Sequence, residues 1–436
     1  MWTQTETSAA PLVVFRIGFG LMMLLGIVRF WVYGWIEKLY IWPQFFFSYR
    51  YFDWVKPLGD WTYLLFAVVG VAAACITVGY RYRLATAVFF LGFTYIELMD
   101  KTTYLNHYYF VSLMALLLFW IPIPAGIAAA RGCRVNSVYI NALRLFVAVV
   151  YFYAGVAKLN SDWLLDAQPL ATWLPARAHL PLLGAWMQER WVHYAFAWGG
   201  ALYDLVIPFL LLAPRTRHLG FVLVVVFHFL TWVLFPIGMF PWIMIVSALI
   251  FLEPATHAKI LDRIAALLRA GRDTVATACA PVSPARRVAV AVVLAFHLLF
   301  PWRYLLHPGE VFWTENGYRF SWRVMLMEKA GMATFRVEDA ATGDRVVVNN
   351  REFLTAFQEK QMATQPDFLL EFGHFLADHY RSRGMADPRV YVDSYVALNG
   401  RLSTRYVDPE LDLTEISPDA PPCTWLLPFE DTIYGF

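Results

Sequence analysis

Long uninterrupted apolar stretches set the terms for this chain, because a bilayer core takes about 20 apolar residues per helical crossing. Nine such stretches are read along the sequence, at roughly 11–32, 61–80, 84–99, 107–125, 138–157, 192–213, 217–235, 237–252 and 286–306, the third and eighth being short. In lipid every backbone N–H and C=O must be satisfied internally, so each stretch is expected to be a helix. Composition agrees: 59% of the 436 residues are hydrophobic and 16% charged, against about 45–50% and about 25% in a soluble domain. A net charge of +2 makes no case for nucleic acid. Cys75, Cys133, Cys279 and Cys423 have no CxxC spacing, so neither a metal site nor a disulfide framework is expected.

Charge divides the chain. Of the 33 acidic residues 20 follow residue 308, with only 12 of the 35 Lys and Arg. The expectation is an all-α polytopic membrane bundle over residues 1–306, then a small α+β, strand-rich extracytoplasmic domain over 307–436. Within the latter, ATFRVEDAATGDRVVVNN alternates around a TGD turn, and residues 351–382 read as helical. RVYVDSYVALNGRLSTRYVD returns to strand alternation around Asn399-Gly400, a strong hairpin turn.

Orientation follows from the basic loops. They carry Arg81 and Arg83, Arg131 and Arg134, Arg215 and Arg217, then Lys259, Arg263, Arg269, Arg272, Arg286 and Arg287. The positive-inside rule makes these loops cytoplasmic, and an odd number of crossings puts the C-terminal domain outside. Residues 257–272, HAKILDRIAALLRAGR, read as an amphipathic helix on the cytoplasmic leaflet. No cleaved signal peptide is expected, since no basic segment leads into the first apolar stretch.

Once the spans are drawn, His107 opens the fourth, Lys158 closes the fifth and His228 lies near the outer end of the seventh. All three fall at the extracytoplasmic level. Lys158 follows VAVVYFYAGVA. A desolvated amine there favours its neutral form and can act as a general base; a lysine at a helix end also commonly snorkels to headgroups. The two histidines are either hydrogen-bonded structural groups or ligand-facing ones. Arg16, Glu97, Arg144 and Asp204 sit in or near spans, where charges usually pair between helices.

Four segments narrow the reading. DKTTYLNHYYF (100–110), YFYAGVAKLNSDW (151–163), FHFLTWVLFPIGMF (227–240) and WTENGYRFSWRVM (313–325) closely resemble, in order, segments of the vitamin K-dependent gamma-glutamyl carboxylases, which are HTTM-domain membrane proteins. The resemblance runs from about Val14 to about Asp412. It implies reduced vitamin K (phylloquinol or menaquinol) with O2 and CO2 as co-substrates, and no metal. It implies that Lys158 deprotonates the quinol, whose anion reacts with O2 to give a strong alkoxide base that ends as the epoxide. That base takes a γ-proton from peptidyl glutamate, and the carbanion captures CO2 while His107 hydrogen-bonds the developing charge. His228, Asn106, Lys101 and Trp163 are then the quinol and substrate cavity, and Trp313, Tyr318 and Trp322 the glutamate-binding set. The implied partners are membrane lipid, quinol and a glutamate-containing peptide. Ala157 stands where the animal motif has a second lysine, and the overall look is that of a short bacterial-type homologue. The location implied is the inner membrane, with the C-terminal domain in the periplasm. Two rivals are a quinol epoxidase without carboxylation and a membrane carrier or quinone-binding protein.

Overall fold

Apolar sequence becomes helix wherever it is long enough, and the computed structural model describes this over residues 6–126, 133–268 and 283–436. In chain order the long helices are α1 (Ala10–Val32), α2 (Trp61–Val78), α3 (Tyr82–Leu98), α4 (Asn106–Trp120), α5 (Ser137–Val156), α6 (Arg190–Leu212), α7 (Arg217–Leu234), α8 (Phe240–Ala248), α9 (Pro254–Leu267) and α10 (Pro284–Leu299). Among the described residues six are long and apolar enough to cross a membrane: α1, α2, α5, α6, α7 and α10 with its continuation to Leu306. Phe240–Phe251 and α9 form a bent pair that makes at most a seventh.

The expected nine spans are therefore six or seven. The missing ones have a physical reason. Helices α3 and α4 have only 17 and 15 residues, and at about 1.5 Å per residue they fall short of a hydrocarbon core of about 30 Å. The eighth stretch turns by 119° into α9 instead of ending in a loop. At that bend Arg144 Nε donates to the Ile250 carbonyl at 3.0 Å, and the buried His257 ring contacts the carbonyls of Leu249 and Glu253 at 2.9 Å each. These side chains satisfy carbonyls that a broken helix leaves bare. Arg131, Arg269, Arg272, Cys279 and the end of the amphipathic stretch lie outside the described residues. Cys75 and Cys423 are free, whereas Cys133 is disulfide-bonded, a pairing the scattered spacing did not signal.

The other charges near the spans are satisfied mostly by polar atoms of the backbone. Arg16 donates to the carbonyls of Ile76, Thr77 and Ala125 at 2.6–3.0 Å, and Glu97 accepts from Ser112 at 2.9 Å. Of the four, Asp204 is the one whose expected interhelical partner is an opposite charge.

At the N-terminal end, β1 (Glu6–Ser8) pairs antiparallel with β2 (Arg134–Asn136). The C-terminal region carries a four-stranded antiparallel sheet in the order β4-β3-β5-β6, from β3 (Lys329–Asp339), β4 (Arg345–Val347), β5 (Pro388–Leu398) and β6 (Thr404–Arg405). Both hairpins form where the alternation placed them. Gly343, Asn399 and Gly400 take the positive φ their turns need, at 83°, 49° and 77°. Between them, α11 (Ala356–Met362) and α12 (Pro366–Ser382) cover one face of the sheet, with Phe368, Leu369, Phe372 and Leu376 buried.

The sheet's core continues into the outer end of the bundle. Phe45 and Phe47, from the loop after α1, pack on Phe375 and Phe368 at centroid distances of 4.5 and 4.7 Å. Beside Lys158, Asp162 accepts from both terminal nitrogens of Arg401, at 2.7 and 2.8 Å, and from Asn399 Nδ2 at 2.8 Å. Removing Asp162 deprives Asn399 and Arg401 of this shared acceptor, although Arg401 is partly exposed and keeps Asp431 at 2.8 Å. Asp162→Ala is therefore expected to lower the unfolding temperature and expose residues 399–431 to limited proteolysis. An unchanged cleavage pattern would show that this contact does not hold the two regions together.

Candidate functional site

A cavity of about 980 Å³ opens where the outer ends of α1 and α4 meet the loop before α8 and residues 315–329. Its lining mixes apolar side chains, among them Met22, Ile27, Phe30, Phe93 and Val111, with the polar Tyr104, Asn106, His107, Tyr318, Arg319 and Arg323.

His107 lies in the first turn of α4 and is 8% exposed. Its ring meets Tyr108 edge-on at 4.6 Å and Phe240 at 5.9 Å, and its nitrogens make no hydrogen bond among the described residues. His107 thus lines the cavity with neither ring nitrogen bonded to protein among the described residues. Asn106, one residue before, has its amide committed: Nδ2 donates to the Arg323 carbonyl at 3.2 Å and Oδ1 accepts from the Tyr104 hydroxyl at 3.1 Å. Phe240 separates His107 from His228, whose ring it meets at 5.8 Å. His228 is buried, with Nε2 2.8 Å from the Tyr151 hydroxyl and Nδ1 without a partner.

Lys158 stands apart from the cavity lining. It follows the last turn of α5 and is only 6% exposed, so it does not snorkel. Its Nζ lies 2.8 Å from Asp204 Oδ2, donates to the Ala154 carbonyl at 3.1 Å, and sits 5.1 Å from the Trp163 ring. The lone desolvated amine read from sequence is in fact one half of a buried ion pair. Gly155 explains how the pair forms: a Cβ there would lie 2.8 Å from the Leu205 backbone nitrogen, so only glycine lets α5 approach α6 this closely. Trp163 is fixed by its own donation from Nε1 to the Ala197 carbonyl at 2.7 Å, two turns before Asp204 on α6. Residues 434–436 bind the lysine's loop, Ser161 N donating to the Tyr434 carbonyl at 2.8 Å and Phe436 N to the Leu159 carbonyl at 3.0 Å.

Between Lys158 and His228 lie two tyrosines, Tyr151 and Tyr203. Tyr151 lies on α5, two turns before the point where Lys158 follows the helix. Tyr203, next to Asp204, packs edge-on against Tyr151 at 6.0 Å. Tyr151 in turn reaches His228, which packs on Phe240 at the cavity wall, while the Tyr203 hydroxyl has no hydrogen-bond partner among the described residues.

The DKT segment turns out to dock the C-terminal region as well. Asp100 caps Thr102 N at 2.9 Å and accepts from Gln358 at 2.8 Å. Burial pushes its carboxyl up to about 6, against the lowering effect of those hydrogen bonds. Lys101 lines the cavity, but its ammonium is taken by Asp367 at 3.0 Å and Glu371 at 2.8 Å. Arg319 also binds Asp367, at 2.8 Å. Burial raises the Asp367 carboxyl, but Arg319 and Lys101 outweigh it and hold it well below the ordinary carboxylate range.

Of the three aromatics expected around glutamate, Tyr318 lines the cavity. Trp313 is buried between Tyr406 and Phe429, donating to the Leu427 carbonyl at 2.9 Å; Trp322 is buried against Tyr109 and His297. Sequence reasoning missed Arg323, which is buried over the Tyr304 ring at 4.2 Å, with Nε and Nη1 making no hydrogen bond among the described residues. It also missed Phe240. An arginine next to a tryptophan within a matched motif was the available signal for the first; nothing in the pattern marked the second.

Residues 4–255 match the HTTM domain family, and residues 283–432 match the family described as vitamin K-dependent gamma-carboxylase, lumenal domain. No solved structure matches the chain.

Proposed function

Because this chain belongs to the vitamin K-dependent gamma-carboxylase family, with an HTTM domain followed by the family's lumenal domain, we propose that it carboxylates the γ-carbon of peptidyl glutamate while oxidising a reduced quinone to its epoxide. The observation that carries this reading is His107, whose nitrogens bond no protein group among the described residues, on a cavity lined by both apolar and polar side chains. The reduced quinone, when bound, supplies with O2 the base strong enough to take a γ-proton. Met22, Ile27 and Phe30 would hold its prenyl chain, Asn106 would flank the head, and His228 would back Phe240 behind it, while Trp163 stands off this cavity beside Lys158. Lys158 takes the quinol proton. His107 hydrogen-bonds the charge that develops on the glutamate, and Tyr318 orients the peptide. Lys101 keeps the DKT segment and α12 together, so that the cavity excludes water while the reactive base exists.

One observation favours a second reading, a quinol epoxidase without carboxylation: Trp313 and Trp322 are committed to packing, which leaves Tyr318 as the cavity's aromatic from that set. Protein in nanodiscs, given reduced vitamin K, labelled bicarbonate and a Glu-rich peptide, separates the cases. Epoxide with labelled peptide supports carboxylation, epoxide alone the second reading, and neither product a carrier.

With the bent pair counted as a seventh crossing, the C-terminal region lies opposite the basic loops, on the extracytoplasmic side, which in a bacterial cell is the periplasm. A cysteine placed at Arg215 should be shielded from an impermeant thiol reagent in intact cells, and one in the exposed Asp344 turn should react. The reverse pattern would refute the orientation.

A further inference from the structure

Between the loop that follows Lys158 and the start of α6 the chain runs through PLLGAW, residues 181–186, which carries no charge. Every residue of this run except Gly184 is exposed, and Leu182 is 95% so. Single exposed leucines are ordinary, but a contiguous apolar patch marks a surface that something covers. The turn that presents it is firmly built. Gly184 N donates to the Leu180 carbonyl at 2.8 Å, and a Cβ at Gly184 would lie 2.1 Å from the Ala178 carbonyl oxygen, so only glycine closes the turn. Leu182 takes a φ of 65°, which a leucine adopts at a cost. Next along the chain, Met187 is buried, and its carbonyl meets His193 Nε2 in the first turn of α6 at 2.9 Å.

What covers the patch follows from the helix it leads into. On α6 the exposed residues Trp191, Ala195, Trp198, Leu202, Val206 and Phe209 recur every three or four positions, one apolar strip along a helix long enough to span. Acyl chains cover such a strip, and tryptophans mark its end at the headgroup level, where Trp191 and Trp198 stand. The Trp186 ring meets Trp191 edge-on at 5.6 Å, so the patch continues the lipid-facing strip. Charged residues flank the run, with Arg177 before it and Glu189 and Arg190 after it. Trp173 Nε1 donates to Glu328 at 2.7 Å, which fixes the segment on the side of the C-terminal sheet. We propose that residues 181–186 insert into the membrane leaflet on that side, with Leu182 and Leu183 among the upper acyl chains and Trp186 at the headgroup boundary. A second copy of the chain fits the patch less well, since a stable protein interface buries about 800 Å² on each partner, far more than six residues offer. The segment leads directly from Asp162 and Trp163, so lipid contact here also sets the height of that loop against the bilayer.

Spin-label accessibility tests this on the full chain in nanodiscs of phosphatidylcholine and phosphatidylglycerol. Leu182→Cys, Ala185→Cys and, as the water-exposed reference, Asp344→Cys are each made in a Cys75→Ala, Cys423→Ser background, whose own labelling is subtracted. Oxygen concentrates among acyl chains and a neutral nickel chelate in water, so relaxation of the nitroxide by each reports where it sits. At 182 and 185 oxygen is expected to outdo the nickel chelate, at a depth of about 5–10 Å into the headgroup boundary, with the reverse at 344. Nickel access at 182 and 185 equal to that at 344 places the run in water and overturns the proposal. Exclusion of both probes shows that protein covers it, a second copy or another chain, and overturns the proposal as well. The two sites are separate proteins, each checked by size exclusion, so a variant that misfolds leaves the other to decide. No quinol or peptide enters the measurement, so its outcome is independent of the carboxylase reading.

Discussion

Replacing Lys158 with arginine is expected to leave a folded protein that makes neither epoxide nor carboxylated peptide, a loss of up to roughly 10,000-fold. The ion pair with Asp204 makes arginine the informative substitution. Lys158→Ala removes the base too, but it strands a buried carboxylate, and breaking a buried pair costs about 3–5 kcal/mol. Loss of activity in that variant would be confounded with loss of fold. Arginine keeps a cation opposite Asp204 yet holds its proton at any accessible pH. Size-exclusion profile and unfolding temperature should stay near wild type while both products vanish. An active Lys158→Arg protein would show that the residue supplies charge alone, and would overturn its assignment as a base.

His107→Ala should separate the two half-reactions. The imidazole has no protein partner to leave unsatisfied, so the substitution costs little beyond its packing against Tyr108 and Phe240. Losing a hydrogen bond to charge that develops in the transition state typically costs roughly 100- to 1000-fold in rate. That loss should fall on labelled peptide, with epoxide formation much less affected, because the strong base forms before the glutamate carries charge. Equal loss of both products would assign His107 to holding the quinol instead.

How far the sequence could be read depended on whether the signal was local. Apolar runs and alternation are local, so the helices and both C-terminal hairpins fall where the pattern placed them, and the Asn399-Gly400 turn is present with both residues at positive φ. The span count was less legible because length alone cannot distinguish a crossing from a buried helix, and α3 and α4 are apolar without being long. The bend after Phe251 depends on Arg144, more than 100 residues earlier, which no window detects.

The site divides the same way. Lys158, His107 and His228 were recognisable because they lie within motifs. Their relations were not, because each partner comes from elsewhere: Asp204 lies 46 residues from Lys158, and Asp367 lies 266 from Lys101. Motif residues also proved to have more than one task. DKT places a cavity-lining segment and holds α12, while AGVAKLNSDW provides the close helix contact at Gly155, the lysine, and the Asp162 anchor for Arg401. Resemblance to a motif shows that its residues belong together without saying which of them meets the ligand.

The central claim is that a base made from the quinol reaches the γ-carbon of a bound glutamate. The most direct measurement omits CO2. A peptide tritiated at the glutamate γ-carbon is incubated with the protein, reduced vitamin K and O2, and tritium released to water is counted beside epoxide. The account predicts tritium release that requires both quinol and O2 and disappears in Lys158→Arg. Epoxide formed at full rate with no tritium above background would contradict it, because the base would then be made in this cavity without ever meeting a glutamate.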